Sequence, residues 1–380
     1  MRYLKILVVF QILVLLFFGV AGAQTPQKSR QVKQYTIEQF LTTTNIAGGS
    51  FSPDDSQILF TSNKSGIRNL YSVPVTGGDA KQLTDFKDTT NSISYFPKDN
   101  RVLYSQDKGG NEQYHIFVLN TDGTSKDLTP SEKARFDFVG WSHDGDSFFY
   151  RSNERDPKFF DLFRMDAKTY ETKMVYQNNE GFDIGAVSGD GQLIALVRTN
   201  TTNDSDMYLY DVAKKESKHL SPHQGDINYA PQDFDRSNKS LYFLSNEGGE
   251  FTHLDQYDIA TGKVTKVQNA PWDIMYSQFS HNSKYRVVGI NEDARTHIQV
   301  FDQASGKELK LPEFPQGDIT SVEISDSEKL MSLYFNGDRS PSNLYVFDFG
   351  NQKLTKLTDT QNPEINPADL VEAEDRKSVV

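Results

Sequence analysis

The histidines His115, His143, His219, His223, His253, His281 and His297 are the residues of this chain best suited to proton transfer or metal binding. A metal site needs three or four ligands within a few ångströms of one another, and only His219 and His223 are close in sequence. The seven therefore read as turn and surface residues, and no metal or cofactor is expected. A hydrolase nucleophile would be marked by G-x-S-x-G on a strand-to-helix turn, and that string does not occur. Its nearest approach, Gly48-Gly49-Ser50-Phe51, falls in a strand pattern. No catalytic residue is expected within these 380 residues. Cysteine is absent, which removes disulfides and thiolate ligands. Aspartates recur in turns, where they accept local backbone hydrogen bonds, and their spacing lacks the alternating oxygen ligands of a calcium loop. Arginine remains. Arg155, then Arg68, Arg295 and Arg339, stand in charged loops, where a guanidinium can bind a carboxylate through paired hydrogen bonds. The alternative is a salt bridge to a neighbouring acid such as Asp156 or Asp338.

These side chains are carried by a repeat. The stretch Phe51 to Thr84 reads as four short strands joined by tight turns, and its first position recurs at Tyr95, Trp141, Val187, Phe234, Phe279 and Ile324. The steps are 44, 46, 46, 47, 45 and 45 residues. A strand-built period of roughly 40–50 residues is the signature of a propeller blade. Second strands are continuous apolar runs such as Ile58-Leu59-Phe60 and Phe148-Phe149-Tyr150, which suits strands covered on both faces. Turn signals, among them Pro53-Asp54-Asp55, His143-Asp144-Gly145 and Gly77-Gly78, stand where strands must reverse. Outer strands end on Leu83-Thr84, Leu128-Thr129, Leu220-Ser221 and Leu357-Thr358. The expected fold is all-β: a seven-bladed β-propeller of four-stranded antiparallel blades over residues 45–358. Each blade runs from inner to outer strand, so the ring closes without a shared strand. After four antiparallel passes both chain ends lie on one rim, together with the loops between second and third strands.

The net charge of −12 is spread along the chain, which excludes the basic stripe of a nucleic-acid binder. Arg2 and Lys5 precede an apolar run of about 15 residues, and Ala21-Gly22-Ala23 follows: a secretory signal peptide over residues 1–23, not a membrane anchor. Export to a periplasm is expected. Residues 24–44 form an N-terminal segment with a short helix over Tyr35–Thr43, where Ile37, Phe40 and Leu41 have helical spacing. Residues 359–374 read as a linker. The final DRKSVV, residues 375–380, matches an in-frame translation of a sequencing adapter and is expected to be an artefact, so that the natural chain continues past Glu374.

The phrases resemble the WD40-like repeat W-S-P-D-G…I-x-F…D-L-Y…L-T of the Tol-system periplasmic propeller and of prolyl oligopeptidase-family propellers. Ser152–Asp166, SNERDPKFFDLFRMD, resembles the third such loop of exported peptidases in that family, and Asn362–Glu374, NPEINPADLVEAE, resembles the linker into their hydrolase domain. The resemblance implies an α/β-hydrolase domain with a Ser-Asp-His triad beyond residue 374, oligopeptide substrates, and a propeller that acts as a size filter. The paired-glutamate motif of the dipeptidyl branch has no counterpart here. A stand-alone propeller of Tol type, binding a partner protein, is the second reading. A propeller-borne sugar-acid lyase would need clustered histidines, which this sequence scatters.

Overall fold

The computed structural model describes residues 33–314 and 317–373. The signal peptide and the adapter-like tail lie outside those residues. Residues 33–37 fall in an N-terminal unit, and everything from Glu38 onward forms a second compact unit, which carries all the strands.

That unit contains seven sheets, each of four consecutive strands in sequence order. Blade 1 holds β1 to β4 (Ile46–Phe51, Gln57–Ser62, Asn69–Pro74, Lys81–Gln82), and blade 2 holds β5 to β8 (Thr90–Phe96, Asp99–Gln106, His115–Leu119, Ser125–Asp127). Blade 3 holds β9 to β12 (Phe136–Trp141, Ser147–Asp156, Phe159–Asp166, Thr172–Tyr176), and blade 4 holds β13 to β16 (Asp183–Val187, Leu193–Thr201, Asp204–Asp211, Glu216–His219). Blade 5 holds β17 to β20 (Tyr229–Phe234, Ser240–Ser245, His253–Asp258, Val264–Gln268). Blade 6 holds β21 to β24 (Asp273–Phe279, Tyr285–Glu292, Arg295–Asp302, Lys307–Glu308), and blade 7 holds β25 to β28 (Asp318–Ile324, Leu330–Gly337, Ser340–Asp348, Lys353–Lys356). The predicted repeat positions fall at the ends of the innermost strands.

Apolar residues from adjoining blades interleave to form the core. Blade 2 contributes Leu103, Ile116 and Val118 to one cluster with Phe136, Phe148 and Met165 of blade 3. The ring closes in the same way: Phe51, Ile58, Phe60 and Val73 of blade 1 pack on Tyr334, Leu344 and Val346 of blade 7. No strand is exchanged across that seam.

Two repeated devices explain the motif residues. In the outer strands, the Leu83 amide bonds to the Leu70 carbonyl, while the Leu70 amide donates to Thr84 Oγ1 at 3.0 Å. Leu128–Thr129, Leu220–Ser221 and Leu357–Thr358 do the same for Ile116, Met207 and Leu344, so the hydroxyl extends the ladder by one bond after the strand ends. In the inner strands, one extra residue bulges out in all seven blades, at Gly48-Gly49, Ile93, Val139, Gly185, Gln232, Met275 and Thr320. Bulges sharpen the local twist where the sheets crowd together. Gly48 shows the tightness: its φ is +76°, and a Cβ there would lie 2.2 Å from Ser92 Oγ.

Two expectations need correction. Helix α1 is shorter than the pattern suggested, Ile37–Leu41, because its apolar residues have no buried surface to cover and propagation past one turn gains little. Ser152–Asp166 is not a loop. It is the tip of the β10–β11 hairpin, which pairs as far as Asp156 with Phe159, with Pro157-Lys158 turning the chain.

Candidate functional site

Both chain ends reach one rim. The Thr44 amide donates to the Thr360 carbonyl at 3.1 Å. Asn362 Nδ2 donates to the Gln39 carbonyl and to Thr42 Oγ1, both at 2.7 Å, and Gln39 Nε2 donates to Glu364 Oε2 at 2.7 Å. The chain then makes a short 3-10 turn (Pro367–Asp369), with Asn366 accepting from the Ala368 amide. It is strapped to the β26–β27 hairpin of blade 7: Arg339 Nε donates to the Pro367 carbonyl at 3.1 Å, Arg339 Nη1 meets Glu372 Oε1 at 3.2 Å, and the Ala373 amide donates to Asp338 Oδ2 at 2.8 Å. Large apolar side chains are exposed along this path, with Leu41 at 76% and Val371 at 83% of full exposure.

Beside the strap, between blades 6 and 7, lies a cavity of about 1050 Å³ lined by Glu292, Asp293, Arg295, His297, Asp338 and Ala373, among others. Its wall includes the tip of the β22–β23 hairpin, where Asp293 and Ala294 both have positive φ, the geometry of a two-residue hairpin turn. Arg295 Nη2 lies 3.6 Å from Asp338 Oδ2, so Asp338 is shared between an arginine and the terminal strap. The lining is polar and of mixed charge, able to hold charged ends of a peptide or the polar surface of a docked domain.

The structure brings two of the four sequence-named arginines, Arg295 and Arg339, to opposite sides of Asp338. Arg68 stands apart on blade 1, where Nη1 donates to Asn91 Oδ1 at 3.3 Å. Arg155 has a structural partner other than Asp156. Its Nε and Nη2 donate to Asp161 Oδ2 and Oδ1 at 2.7 and 2.9 Å, and Nη2 also reaches the Asn178 carbonyl at 2.6 Å. The Asp161 hydrogen bond raises the Arg155 pKa above the usual arginine value. Asp161 itself is fully enclosed.

The reason for Asp161 is a repeat position that sequence reasoning missed. Asn69, His115, Asp161, Asp206, His253, His297 and Asn343 each precede the buried apolar residue that anchors the third strand. In blades 1 and 7 the amide oxygen there gathers the outer-strand hydroxyl and the following loop: Asn69 Oδ1 accepts from Thr84 Oγ1 and the Phe86 amide, and Asn343 Oδ1 from Thr358 Oγ1 and the Thr360 amide. In blade 3 Asp161 Oδ1 accepts from the Asn178 amide, and the charge it brings is met by Arg155. Three of the histidines occupy this position on strands, contrary to the expectation that the histidines lie mostly in loops. His115 pairs with Asp127 at 2.8 Å, and His253 with Asp255 at 3.1 Å. His219 and His223 serve blade 4 through Asp206 and Asp204. On the opposite face, His143 of blade 3 and His281 of blade 6 meet across the channel mouth with ring centroids 6.1 Å apart. Among the described residues no three His, Asp or Glu side chains are grouped to hold a metal ion. The alignment at the position preceding the apolar anchor was the available signal.

A family model described as the prolyl oligopeptidase N-terminal beta-propeller domain matches residues 79–360. Dipeptidyl aminopeptidase BIII of Pseudoxanthomonas mexicana is 24% identical over 321 residues, which is 82% of this chain and 46% of that protein. Dipeptidyl-peptidase 5 of Porphyromonas gingivalis is 25% identical over 262 residues, 62% of this chain and 35% of that one. The chain thus spans less than half the length of these two relatives. The Tol-Pal system protein TolB of Francisella tularensis is 27% identical over 75 residues, 20% of this chain. Among solved structures, one from a study of two prolyl endopeptidases and their inter-domain dynamics superposes with a TM-score of 0.66 at 14% identity. It covers 86% of this chain and 51% of that one.

Proposed function

Since the chain belongs to the family of prolyl oligopeptidase N-terminal propellers, we propose that it is the substrate-gating and docking portion of an exported serine-type oligopeptidase. The catalytic serine, base and oxyanion donors would stand on an α/β-hydrolase domain beyond residue 374. The observation that carries this reading is the meeting of both chain ends on one rim, with the terminal strap held by Asp338 and Arg339. A domain continuing from that strap would sit over the rim hairpins, the cavity between blades 6 and 7, and the exposed Leu41 and Val371. Folded proteins would be excluded by the disc, and short peptides would be held beside the hydrolase with Arg295 and Arg339 available to their carboxylates. The signal peptide over residues 1–23 would direct the enzyme to the periplasm or beyond.

The test has two parts. The genomic reading frame beyond Glu374 should continue and encode G-x-S-x-G. Purified residues 24–374 should show no hydrolysis of short peptides, while the full frame should show hydrolysis blocked by a serine-reactive reagent. A stop codon directly after Glu374 would favour the alternative, a stand-alone Tol-type propeller that binds a partner protein. Serine-type activity in the 24–374 fragment would refute the assignment of catalysis to a following domain.

A further inference from the structure

Between blades 5 and 6 lies a second groove of about 450 Å³, walled by Val267, Ala270, Pro271, Trp272 and Phe301. Arg286 of β22 also lines it, although the residue is only 6% exposed. Its guanidinium lies over the Phe301 ring at 4.7 Å. Nη1 donates to Gln268 Oε1 at 3.1 Å, and Gln268 is in turn oriented by its own Nε2 bond to Gln299 Oε1 at 2.7 Å. A guanidinium has five N–H donors, so this single bond leaves four without a protein acceptor among the described residues.

No carboxylate answers the charge. Burial lowers the Arg286 pKa from the ordinary arginine value, and only the Tyr242 hydroxyl opposes that shift. Arg101, Arg155 and Arg198, all more exposed, each hold a carboxylate oxygen at 2.7 or 2.8 Å. A buried cation is normally paired, because the desolvation it suffers is recovered only by a counter-charge in contact. The ring of Phe301 offsets part of that cost and leaves the hydrogen-bonding edge of the guanidinium unused.

We propose that this groove is a binding site for a small organic monocarboxylate with an apolar body. The carboxylate would take paired hydrogen bonds from Arg286, and the apolar part would lie against Trp272, Pro271 and Val267. Glu292 also lines the groove, which disfavours a multiply charged anion such as phosphate and leaves one cation for one negative charge.

The site is tested by calorimetric titration of the purified protein with N-acetyl-L-leucine, its uncharged amide and inorganic phosphate, repeated on Arg286→Met and Arg286→Lys. Circular dichroism checks that each variant is folded. The expected result is saturable one-to-one binding of the acid near ~1 mM, with the amide weaker by about tenfold or more. Binding should disappear in Arg286→Met and weaken in Arg286→Lys. Four outcomes each overturn the proposal: no saturation by about 10 mM, equal binding of acid and amide, parent-like binding by folded Arg286→Met, or phosphate binding as tight as the acid. The last would identify a plain anion site without an apolar subsite.

Discussion

Glu328 of blade 7 supplies the carboxylate that the turn around Asn282 of blade 6 lacks. Its Oε1 accepts from Ser280 Oγ at 2.5 Å and from the Asn282 and Lys284 amides at 2.9 and 3.2 Å. In blades 1, 3 and 4 the same duty falls to an aspartate of the turn itself. Asp54, Asp144 and Asp190 each accept from a serine hydroxyl at 2.6 Å and from the amide two residues on at 3.0 Å. Blade 6 has lost its own acceptor and borrows one from its neighbour, so a local turn becomes a link between blades. Glu328→Ala is expected to cost about 2–3 kcal/mol by orphaning these donors, measured by urea unfolding. Asn282→Asp in the same chain should recover most of that loss. No recovery would mean that Glu328 acts through something other than the turn.

Arg155 and Asp161 make a second pair whose partners can be exchanged for neutral ones. Arg155→Met alone leaves an enclosed carboxylate without its cation and should lower the thermal midpoint by several degrees. Asp161→Asn gives blade 3 the amide that blades 1 and 7 carry, so the double variant should be markedly more stable than Arg155→Met. Differential scanning calorimetry of the four proteins decides this, and additive effects would show that the two side chains do not act as a unit.

Acid should undo the turns. Hydrogen bonds from Ser52 and Ser56 hold Asp54 at a pKa of about 2, and the Ser142 hydroxyl, the Thr124 hydroxyl and the Ser305 hydroxyl lower those of Asp144, Asp122 and Asp302. A carboxylate whose folded pKa is depressed adds stability that is complete above its unfolded value near 3.8 and is lost as pH falls through the folded value. The thermal midpoint is therefore expected to drop between pH 4 and about 2. Asp54→Asn should flatten part of that slope while leaving the curve at pH 7 little changed in shape.

Glu323 works in the opposite sense. Burial among the inner strands, with the nearby Asp326 charge adding to it, pushes its pKa up to about 7, although channel water still reaches the side chain. An acid that holds its proton more tightly when folded stabilises the protein at low pH, and that contribution is lost as pH rises from 4.5 through 7. Glu323→Gln should accordingly raise stability at pH 8 by about 1 kcal/mol, a figure kept small because of solvent access, and make no difference at pH 4. Equal gains at both pH values would point to a packing effect instead.

The blades were legible because a strand covered on both faces must be apolar without interruption, as Ile58-Leu59-Phe60 and Phe148-Phe149-Tyr150 are. Leu83-Thr84 and its counterparts were visible as a motif, but not as a ladder bond carried by a hydroxyl, since that depends on where Leu70 lies across the sheet. Ser152–Asp166 was misread as a loop because its charged run Asn153 to Asp156 hides strand pairing, which backbone bonds secure regardless of polarity. Arg155 was singled out for its charge, yet its partner was fixed by Asp161, a residue whose burial follows from the repeat position and not from its own type. Glu328 and Asn282 were illegible for a simpler reason. They sit 46 residues apart, and nothing in one sequence says which face of a turn looks across to the next blade.

The seam between blades 7 and 1 has a mechanical consequence. Tyr334, Leu344 and Val346 meet Phe51, Ile58 and Phe60 through side chains alone, with no backbone ladder bridging them. Every other junction between blades also has a covalent connection, so under tension or mild denaturant this seam is the natural place for the circle to part. The strap that joins residues 39–44 to 360–364 then acts as a hasp, and cutting the circle anew elsewhere while splicing the old ends together should leave the disc intact.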